Sequence, residues 1–346
     1  MLTRPDAGLS ATSGGPFDAD AVGALAGTAF QHPGWLAALH DLNASRGATD
    51  VSLNLRDHGR PIAHVPMTLR TLSGVRLLEG MDGGVCDYVA PAIDPTIDPA
   101  LDPAFGGEPT STMMERLRAA LPRHDILRIR NIRPEHVAFW EGLAGARAKP
   151  AGYSAHAVAL AGSFAEWRKA SIDRSVASQT ARKWKRWTKA GAVFEEVRGA
   201  RAETAIHELA RLREGRFEGD PIQTPEVRAF YARVARESEH ARTFLLREGD
   251  AIAGVLFGIT HETTFHYLLI GCDYERFGRH SPGQQMYERV IETWMGKGGE
   301  TFDFTIGDEP FKRQYGTTPT PISEIAVART VRGRLAKLVL ERRGRA

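Results

Sequence analysis

One short stretch near the C-terminus, FDFTIGDEPFKRQYG, places several ionisable side chains directly after an apolar segment. Phe302 and Phe304 alternate with Asp303, a period-two pattern that predicts a short buried strand. Gly307 ends the apolar run, so the strand is expected to stop there. An aspartate on such a strand has the chemistry of a general base, which accepts a proton from a reacting group.

The segment that follows this strand supplies three further candidates for proton chemistry. Lys312 and Tyr315 are three residues apart in a predicted short helix, so they share one face. Glu309 is a second candidate base, Tyr315 a candidate acid, and Lys312 a candidate contact for an anionic group. The structural alternative makes Asp308 a helix cap, Lys312 a solvated side chain and Tyr315 a half-buried anchor.

A strand, loop and helix start upstream have groups that suit an anion. The predicted strand TFHYLLIG leads into CDYERFGRH and then into SPGQQM. A helix N-terminus offers unpaired backbone N–H groups and the positive end of the helix dipole, and Arg276 and Arg279 add charge. The alternative is that Ser281 simply caps the helix and Pro282 occupies its first position.

Two further features have both a functional and a structural interpretation. The predicted helix ASQTARKWKRWTKAG combines five Lys/Arg in residues 182–189 with Trp184 and Trp187. It predicts either a groove for an anionic or glycan substrate, with Trp184 and Lys185 as contacts, or an amphipathic helix that buries both tryptophans. His266, on a predicted strand, is either a candidate base and substrate contact or a structural histidine.

The elements that must position these groups alternate between strand and helix along the chain. The segment AFQHPGWLAALHDLN predicts a helix entered after Pro33, and the alternation around RDHGRP predicts a β-hairpin. Residues 241–271 predict a three-stranded meander, and SPGQQMYERVIETWMGKG predicts a helix that opens with Pro and closes with Gly. The predicted fold class is α/β (α+β), and a similar element order in the two halves suggests a tandem duplication.

Composition places the chain among ordinary globular proteins. The 346 residues suit two domains, and 42% are hydrophobic and 25% charged. Two cysteines without metal-ligand spacing predict neither a disulfide framework nor a metal site, and favour a cytoplasmic location. We find no apolar run of the ~18 residues that a membrane span needs, and no apolar core of a secretory signal near the N-terminus.

Charge is distributed unevenly along the sequence. Residues 1–150 hold 14 Lys/Arg against 17 Asp/Glu, and residues 151–346 hold 31 against 25. The last 18 residues hold seven basic residues and one acidic residue, so the second half is neutral outside this tail. A DNA-binding face is therefore not expected. The tail itself predicts a contact with an inner-membrane surface, a site for a cyclic dinucleotide, or a solvated terminus.

Taken together, the motifs resemble the GNAT acyltransferase superfamily. The order strand, SPG, helix, FDF, then GDEPFK is most similar to its cellulose-biosynthesis (CelD-type) and Fem-like tandem subgroup. FQHPGWLAAL and CDYVAP are similar to further motifs of that subgroup. The resemblance implies two GNAT-like units, each a mixed, mostly antiparallel twisted sheet flanked by helices. The implied division is a flexible leader (1–22), an N-terminal domain (23–150), a C-terminal domain with an acyl-CoA cleft (151–328) and a basic tail (329–346).

The resemblance also implies positions for the co-substrate. It assigns Leu268, Leu269 and Ile270 to the strand beside the thioester. It assigns Arg279, Ser281, Gly283 and Gln284 to the pyrophosphate of acetyl-CoA or another acyl-CoA. The loop GRHSPG departs from the usual superfamily pattern, because Arg279 is displaced by one residue and Ser281 replaces the first glycine.

The implied function is an N-acyltransferase, with three functional classes open. The first acylates an amino group of a sugar or polysaccharide precursor in exopolysaccharide or cell-envelope synthesis. Asp303, Glu309 or His266 would accept the proton of the amine, and Tyr315 would protonate the leaving thiolate. The second is a Fem-like transferase that uses aminoacyl-tRNA, which the neutral second half disfavours. The third is a non-catalytic effector of exopolysaccharide machinery that binds a nucleotide second messenger through the tail.

Overall fold

The computed structural model describes residues 8–15, 17–96 and 109–343, with the side chains of 109–111 and 339–343 excepted. The chain divides into two compact units. Unit 1 comprises Met1–Gly152 and Pro321–Ala346, and unit 2 comprises Tyr153–Thr320. The sequence placed the end of the second domain at residue 328, whereas the second unit ends at Thr320; residues 323–328 pair with a strand of unit 1.

Unit 1 contains two sheets and five helices among the described residues. Its strands are β1 (Leu9–Ser13), β2 (Thr49–Asp50), β3 (Leu53–Asp57), β4 (Arg60–Val65), β5 (Met67–Leu72), β6 (Val75–Gly80), β7 (Ala92–Ile93) and β8 (Ile126–Ile132). Its helices are α1 (Ala19–Gly23), α2 (Pro33–Ser45), α3 (Pro109–Ala120), α4 (Val137–Ala144) and, at the C-terminal end, α11 (Val331–Arg343). Strand β9 (Lys149–Ala159) crosses the unit boundary.

The sheets of unit 1 are mostly antiparallel. One has the order β1-β3-β4-β7, and the predicted hairpin around RDHGRP is confirmed as β3 and β4. The hairpin turn holds His58 and Gly59 at φ 46° and 85°, the left-handed conformation that tight hairpins need. In the other sheet β6 pairs parallel with β8, and α3 lies between them in the chain. Leu78, Leu127, Ile129 and Trp140 belong to the core of this unit.

The N-terminal segment differs from the flexible leader expected at residues 1–22. Leu9–Ser13 form β1, which pairs antiparallel with β3 from Leu9↔Asp57 to Ser13↔Leu53. Asp18 then caps α1 by accepting a hydrogen bond from the Ala21 N–H at 3.0 Å. Strand pairing and the cap fix this part of the chain. The first seven residues lie outside the described range.

The C-terminal segment also differs from a solvated tail. Strand β15 (Thr318–Ala328) pairs antiparallel with β8, and α11 follows directly after it. Gly333 lies so close to the sheet that an added Cβ would meet the Asp125 carbonyl oxygen at 2.2 Å. Lys337 donates a hydrogen bond to the Ala326 carbonyl of β15 at 2.8 Å, so the first turns of α11 pack against the rest of unit 1.

Unit 2 contains one sheet with helices around it. Its strands after β9 are β10 (Ala192–Val197), β11 (Ala241–Glu248), β12 (Ala251–His261), β13 (Thr264–Cys272) and β14 (Thr301–Ile306). Its helices are α5 (Phe164–Ser171), α6 (Arg174–Lys189), α7 (Ala200–Arg213), α8 (Pro225–Glu237), α9 (Tyr274–Phe277) and α10 (Pro282–Gly296). A 3₁₀ helix spans Pro310–Tyr315.

The sheet of unit 2 has the order β10-β11-β12-β13-β14-β9. The predicted meander is confirmed as β11, β12 and β13, paired antiparallel. Helix α10 connects β13 to β14, which pair parallel. It packs on the sheet with Met286, Val290 and Trp294, which are spaced four residues apart and therefore share one face.

The same parallel strand, helix and strand arrangement therefore occurs once in each unit, as β6-α3-β8 and as β13-α10-β14. This recurrence agrees with a tandem duplication. The mixed α/β fold class is confirmed, with antiparallel pairs predominating in both units. Within the described residues, the helices are all too short or too polar to span a membrane.

Candidate active site

Strands β13 and β14 separate part-way along their length. Their parallel register runs over Thr264↔Thr301 and Phe265↔Phe302 and ends at His266↔Asp303. Beyond that pair, β13 continues to Cys272 and pairs only with β12, while β14 ends at Ile306. Two strands that diverge from a common register leave backbone groups facing the gap without a ladder partner.

A β-bulge lies on β13 just beyond the point of separation. Phe257 of β12 is opposite Leu269, and the next residue, Gly258, is opposite Tyr267. Leu268 is therefore the extra residue, and a bulge turns its backbone groups out of the regular ladder. Leu268, Leu269 and Ile270 are all half-buried. Of the three residues expected beside a thioester, Leu268 thus forms the bulge, and Leu269 and Ile270 follow it in regular pairing with β12.

The other side of the gap is shaped by a kink in β14. Thr305 has a φ of 58°, which is costly for a residue with a branched side chain. The Asp303 carboxylate accepts the Thr305 N–H at 2.7 Å, and the Thr305 hydroxyl donates to the Tyr267 carbonyl of β13 at 3.0 Å. These two hydrogen bonds hold the kink and connect the diverging strands.

Asp303 and His266 form a buried acid–imidazole pair at the point of separation. Their side chains are on neighbouring strands at the last paired register position. The Asp303 Oδ2 to His266 Nδ1 distance is 3.4 Å, and the two residues are 2% and 7% exposed. A carboxylate beside an imidazole orients the ring. The structure therefore unites one predicted base with the histidine predicted as a substrate contact.

Lys312 has a different environment from the one expected. The residue is 1% exposed, and its Nζ donates to the Ile306 carbonyl at 2.7 Å and to the Gly307 carbonyl at 2.9 Å. A third, longer contact reaches the Thr305 carbonyl at 3.3 Å, and Glu309 Oε2 lies 2.9 Å away. The ammonium thus holds the end of β14. It does not project as a solvated cation or toward an open cleft.

Tyr315 is buried in an aromatic cluster. Its ring centroid lies 5.2 Å from that of Phe304 and 5.6 Å from that of Tyr287. Burial, with a smaller effect from the nearby Glu288 carboxylate, raises the pKa of the Tyr315 phenol above its ordinary value. The phenol therefore keeps its proton at neutral pH, as a general acid requires.

Glu309 and Asp308 occupy contrasting positions after Gly307. The Glu309 side chain is 55% exposed and contacts Lys312. The Asp308 carboxylate accepts the Ser154 N–H at 3.2 Å and lies 2.9 Å from the Nε2 of buried His156. Hydrogen bonding to His156 is the main reason that the pKa of Asp308 is lowered. Asp308 thus joins the strand end to β9 and does not cap the 3₁₀ helix.

The N-terminus of α10 has the features of an anion site. Ser281 is in the left-handed conformation (φ 55°), and its hydroxyl does not cap the helix. That hydroxyl instead accepts a hydrogen bond from Lys183 Nζ of α6 at 2.7 Å. The first helical hydrogen bond is from the Gln285 N–H to the Ser281 carbonyl, so the N–H groups of Gly283 and Gln284 lack intrahelical partners.

Three side chains border this helix start. A Cβ added to Gly283 would lie only 2.4 Å from the Tyr274 hydroxyl. This close approach explains why the position is a glycine. Arg279 is exposed, and its Nε donates to His280 Nε2 at 2.9 Å. Burial lowers the pKa of His280, so its ring is a neutral acceptor. The arginine is therefore held near the helix start although its place in the loop is displaced by one residue.

The basic helix α6 divides between the two interpretations. Trp187 is fully buried, stacks on His280 and donates to Glu248 at 2.7 Å, as the structural alternative expected. Trp184 is half-buried, with the Arg289 guanidinium 5.3 Å from its ring centroid. Lys185 is exposed to solvent. Lys185 and Trp184 thus remain candidate surface contacts for a substrate.

Several residues at the site escaped sequence reasoning. Lys183 lies 98 residues before Ser281 in the chain, and nothing distinguishes it from the other lysines of its helix. His156 is separated from Asp308 by 152 residues, and no local pattern links them. Thr305 has a positive φ, which is exceptional for a β-branched residue, and nothing in the surrounding sequence predicts it. A covariation signal between such pairs is the kind of signal that would reveal them.

Comparison with known proteins agrees with this geometry. Residues 174–313 match the Acetyltransf_6 family, described as an acetyltransferase (GNAT) domain. The matched region begins at the start of α6 and ends inside the 3₁₀ helix that holds Lys312. The matched residues make up most of unit 2, so unit 2 is similar to a GNAT-type domain. A search of curated proteins gives no match.

Three solved structures share the fold over most of the chain. FemX has a TM-score of 0.57 at 12% identity, with 83% of this chain and 90% of that chain covered. L-PGS from Bacillus licheniformis has a TM-score of 0.50 at 13% identity, covering 82% and 87%. A conserved protein of unknown function from Bacteroides thetaiotaomicron has a TM-score of 0.50 at 12% identity, covering 86% and 90%. At these identities the likeness concerns the fold.

Proposed function

We propose that unit 2 is an N-acyltransferase that moves an acyl group from acyl-CoA to an amine. The observation that carries this proposal is the separation of β13 and β14 after His266↔Asp303, with a bulge at Leu268 and an uncapped helix start at Ser281. A gap between parallel strands accommodates an extended amide-containing chain, because unpaired backbone groups can hydrogen-bond to it. The match of residues 174–313 to a GNAT domain supports the same reaction class.

The helix start has donors that suit a pyrophosphate. The N–H groups of Gly283 and Gln284 and the positive end of the α10 dipole favour an anion. Lys183 already contacts the Ser281 hydroxyl at 2.7 Å, which places its charge at the same helix end. Arg279 would add a second cation. These groups would hold the pyrophosphate of acyl-CoA, and Leu268, Leu269 and Ile270 would line the arm that leads to the thioester.

The His266–Asp303 pair and Tyr315 are the groups that we propose for the two proton transfers of the reaction. Acyl-CoA, when bound, supplies a thioester whose carbonyl carbon forms the new bond to the amine nitrogen as its carbon–sulfur bond breaks. The His266–Asp303 pair would accept the proton that the amine loses, and a backbone N–H at the Leu268 bulge would stabilise the developing oxyanion. Tyr315, which keeps its proton at neutral pH, would donate it to the sulfur.

The remaining predicted residues have supporting roles in this proposal. Lys312 and Glu309 fix the end of β14 and thereby the position of Asp303. Trp184 and Lys185 on α6 are proposed contacts for the acceptor. We propose acetyl-CoA as the first donor to test, and an amino group of a sugar or polysaccharide precursor as the acceptor. The acceptor class rests on the CelD-type resemblance of the sequence motifs.

Calorimetry with acetyl-CoA, followed by a thiol-release assay with a panel of amino sugars, tests the proposal. We expect Lys183→Met and Ser281→Ala each to raise the Kd for acetyl-CoA by about tenfold, the effect of one lost charged hydrogen bond. Lys185→Met, on the same helix but exposed, is the matched control and should leave the Kd unchanged. Absence of CoA binding to the wild-type protein, or transfer that requires aminoacyl-tRNA, would refute the proposal.

A further inference from the structure

Unit 1 contains a cavity that the proposed reaction does not use. Its volume is about 600 Å³, and it opens to solvent. It lies where the C-terminal ends of α3 and α4 meet the start of β6, at Arg76, and the turn between β15 and α11. Cavities of this volume hold small organic ligands of nucleotide size.

The lining of the cavity is strongly basic. Its charged and titratable members are four arginines and one histidine: Arg76, Arg118, Arg123, Arg329 and His124. The residues that line it include no carboxylate. Asp125, nearby in the sequence, lies 3.6 Å from Arg76 Nε and offsets that charge. In the part of the chain that the structure describes, the other three guanidinium groups have no carboxylate partner, which leaves an excess of about three positive charges.

Two of these arginines are oriented by carbonyl groups at the end of α4. Arg118 donates through Nε (2.6 Å) and Nη2 to the Gly142 carbonyl, and Arg329 donates through Nη2 to the Ala144 carbonyl. A guanidinium has five N–H donors, so both arginines keep donors for a ligand. Their positions are fixed before any ligand arrives, which lowers the entropic cost of binding.

The C-terminal end of α4 does not by itself require these arginines as hydrogen-bond donors. Gly145 is left-handed (φ 57°) and donates its N–H to the Gly142 carbonyl at 3.3 Å, an ordinary glycine helix ending. Arg118 therefore adds to a carbonyl that already has a partner. Arg123 is exposed and makes no hydrogen bond or ion pair with other described residues. A purely structural account therefore leaves Arg123 unexplained.

His124 and the apolar residues complete the cavity. The His124 Nδ1 lies 2.7 Å from the Pro122 carbonyl, which fixes the ring, and its Nε2 has no partner among the described residues. Leu121 and Leu143 supply apolar wall beside the cations. Arginine forks match phosphate oxygens in geometry, and an apolar wall suits the organic part of a phosphate ester.

From this arrangement we infer that unit 1 binds a small organic polyphosphate of the size and charge of a nucleoside diphosphate. The charge of about −3 on such a ligand matches the unpaired cations of Arg118, Arg123 and Arg329. The site consists of residues of unit 1 alone, so it is separate from the anion site at the α10 N-terminus of unit 2. Its occupant therefore binds in addition to acyl-CoA.

Calorimetry of the full-length protein with ADP and with inorganic pyrophosphate tests this inference. We expect Arg123→Met to weaken ADP binding at least tenfold without changing thermal stability, because the exposed side chain makes no described contact. Arg329→Met should weaken it similarly. Arg116→Met, on the exposed face of α3 and outside the cavity lining, is the matched control and should have no effect.

A second variant separates this site from the one proposed in unit 2. ADP binding to the cavity should persist in Lys183→Met, whose altered contact is at Ser281. The inference would be overturned if ADP binding were weaker in Lys183→Met but unchanged in Arg123→Met. It would also be overturned if neither ADP nor pyrophosphate bound at 1 mM, which is roughly the weakest affinity of specific sites. An acetyl-CoA Kd that rises about tenfold in Lys183→Met while ADP binding is unchanged would support both sites independently.

Discussion

The environment of Lys312 leads to the most discriminating prediction about this fold. The buried ammonium makes two short hydrogen bonds to the carbonyls of Ile306 and Gly307 and a longer one to that of Thr305. Replacing Lys312 with Met keeps the aliphatic length and removes all three. The carbonyls at the end of β14 then lose their donor in a region that water reaches poorly.

The magnitude follows from these contacts. A hydrogen bond to a charged group contributes about 1.5–3 kcal/mol, so the two short bonds together contribute roughly 3–6 kcal/mol. Relief of the desolvation of the buried ammonium offsets part of this loss. The Glu309 ion pair adds little, because its carboxylate is 55% exposed and screened by solvent. We therefore expect Lys312→Met to lower the free energy of unfolding by about 3–4 kcal/mol.

Urea unfolding followed by tryptophan fluorescence measures this change, with Lys185→Met as a control that should stay within about 0.5 kcal/mol of wild type. If Lys312 instead contacted an anionic substrate, the variant would raise KM and leave stability nearly unchanged. A stability loss below about 1 kcal/mol would refute the bracing role derived from the hydrogen bonds.

Two further predictions concern a titrating histidine and a candidate acid. Burial lowers the pKa of His64 from 6.5 to about 4, so its neutral form is favoured in the fold. The contribution of neutral His64 to the free energy of unfolding is complete above pH 6.5 and is lost as the pH falls through 4. The free energy of unfolding is lowered by about 3 kcal/mol at pH 4. Urea unfolding between pH 7 and 4 should show that the free energy of unfolding depends less on pH in His64→Gln than in wild type. The exposed-site control His207→Gln should behave like wild type. An equal pH dependence in all three proteins would contradict the prediction. Tyr315→Phe should lower kcat by at least about tenfold with unchanged acetyl-CoA affinity, because only the phenol proton is lost. Tyr231→Phe on α8 is its control, and an unaltered kcat in Tyr315→Phe would remove Tyr315 from the mechanism.

The sequence by itself predicted the local elements that surround the candidate site. Alternation of apolar and polar residues predicted β3 and β4, and the Pro and Gly positions predicted both ends of α10. These are local features, because turn and cap residues act on backbone angles within a few residues. The stretch around Asp303 was found for the same reason, since a strand and its terminating glycine are adjacent in the chain.

Tertiary structure decided the environment of each of these side chains. Lys312 was predicted to contact an anionic group in the cleft, with a solvated side chain as the alternative. Its ammonium is instead buried against the carbonyls of a kinked strand. The contact between Lys183 and Ser281 joins residues 98 positions apart. Burial and long-range contacts depend on how strands diverge and helices pack, and no local pattern encodes them. The C-terminal tail shows the same limit of local patterns. Its basic composition indicated a solvated segment, whereas in the structure Gly333 packs closely against Asp125 at the sheet.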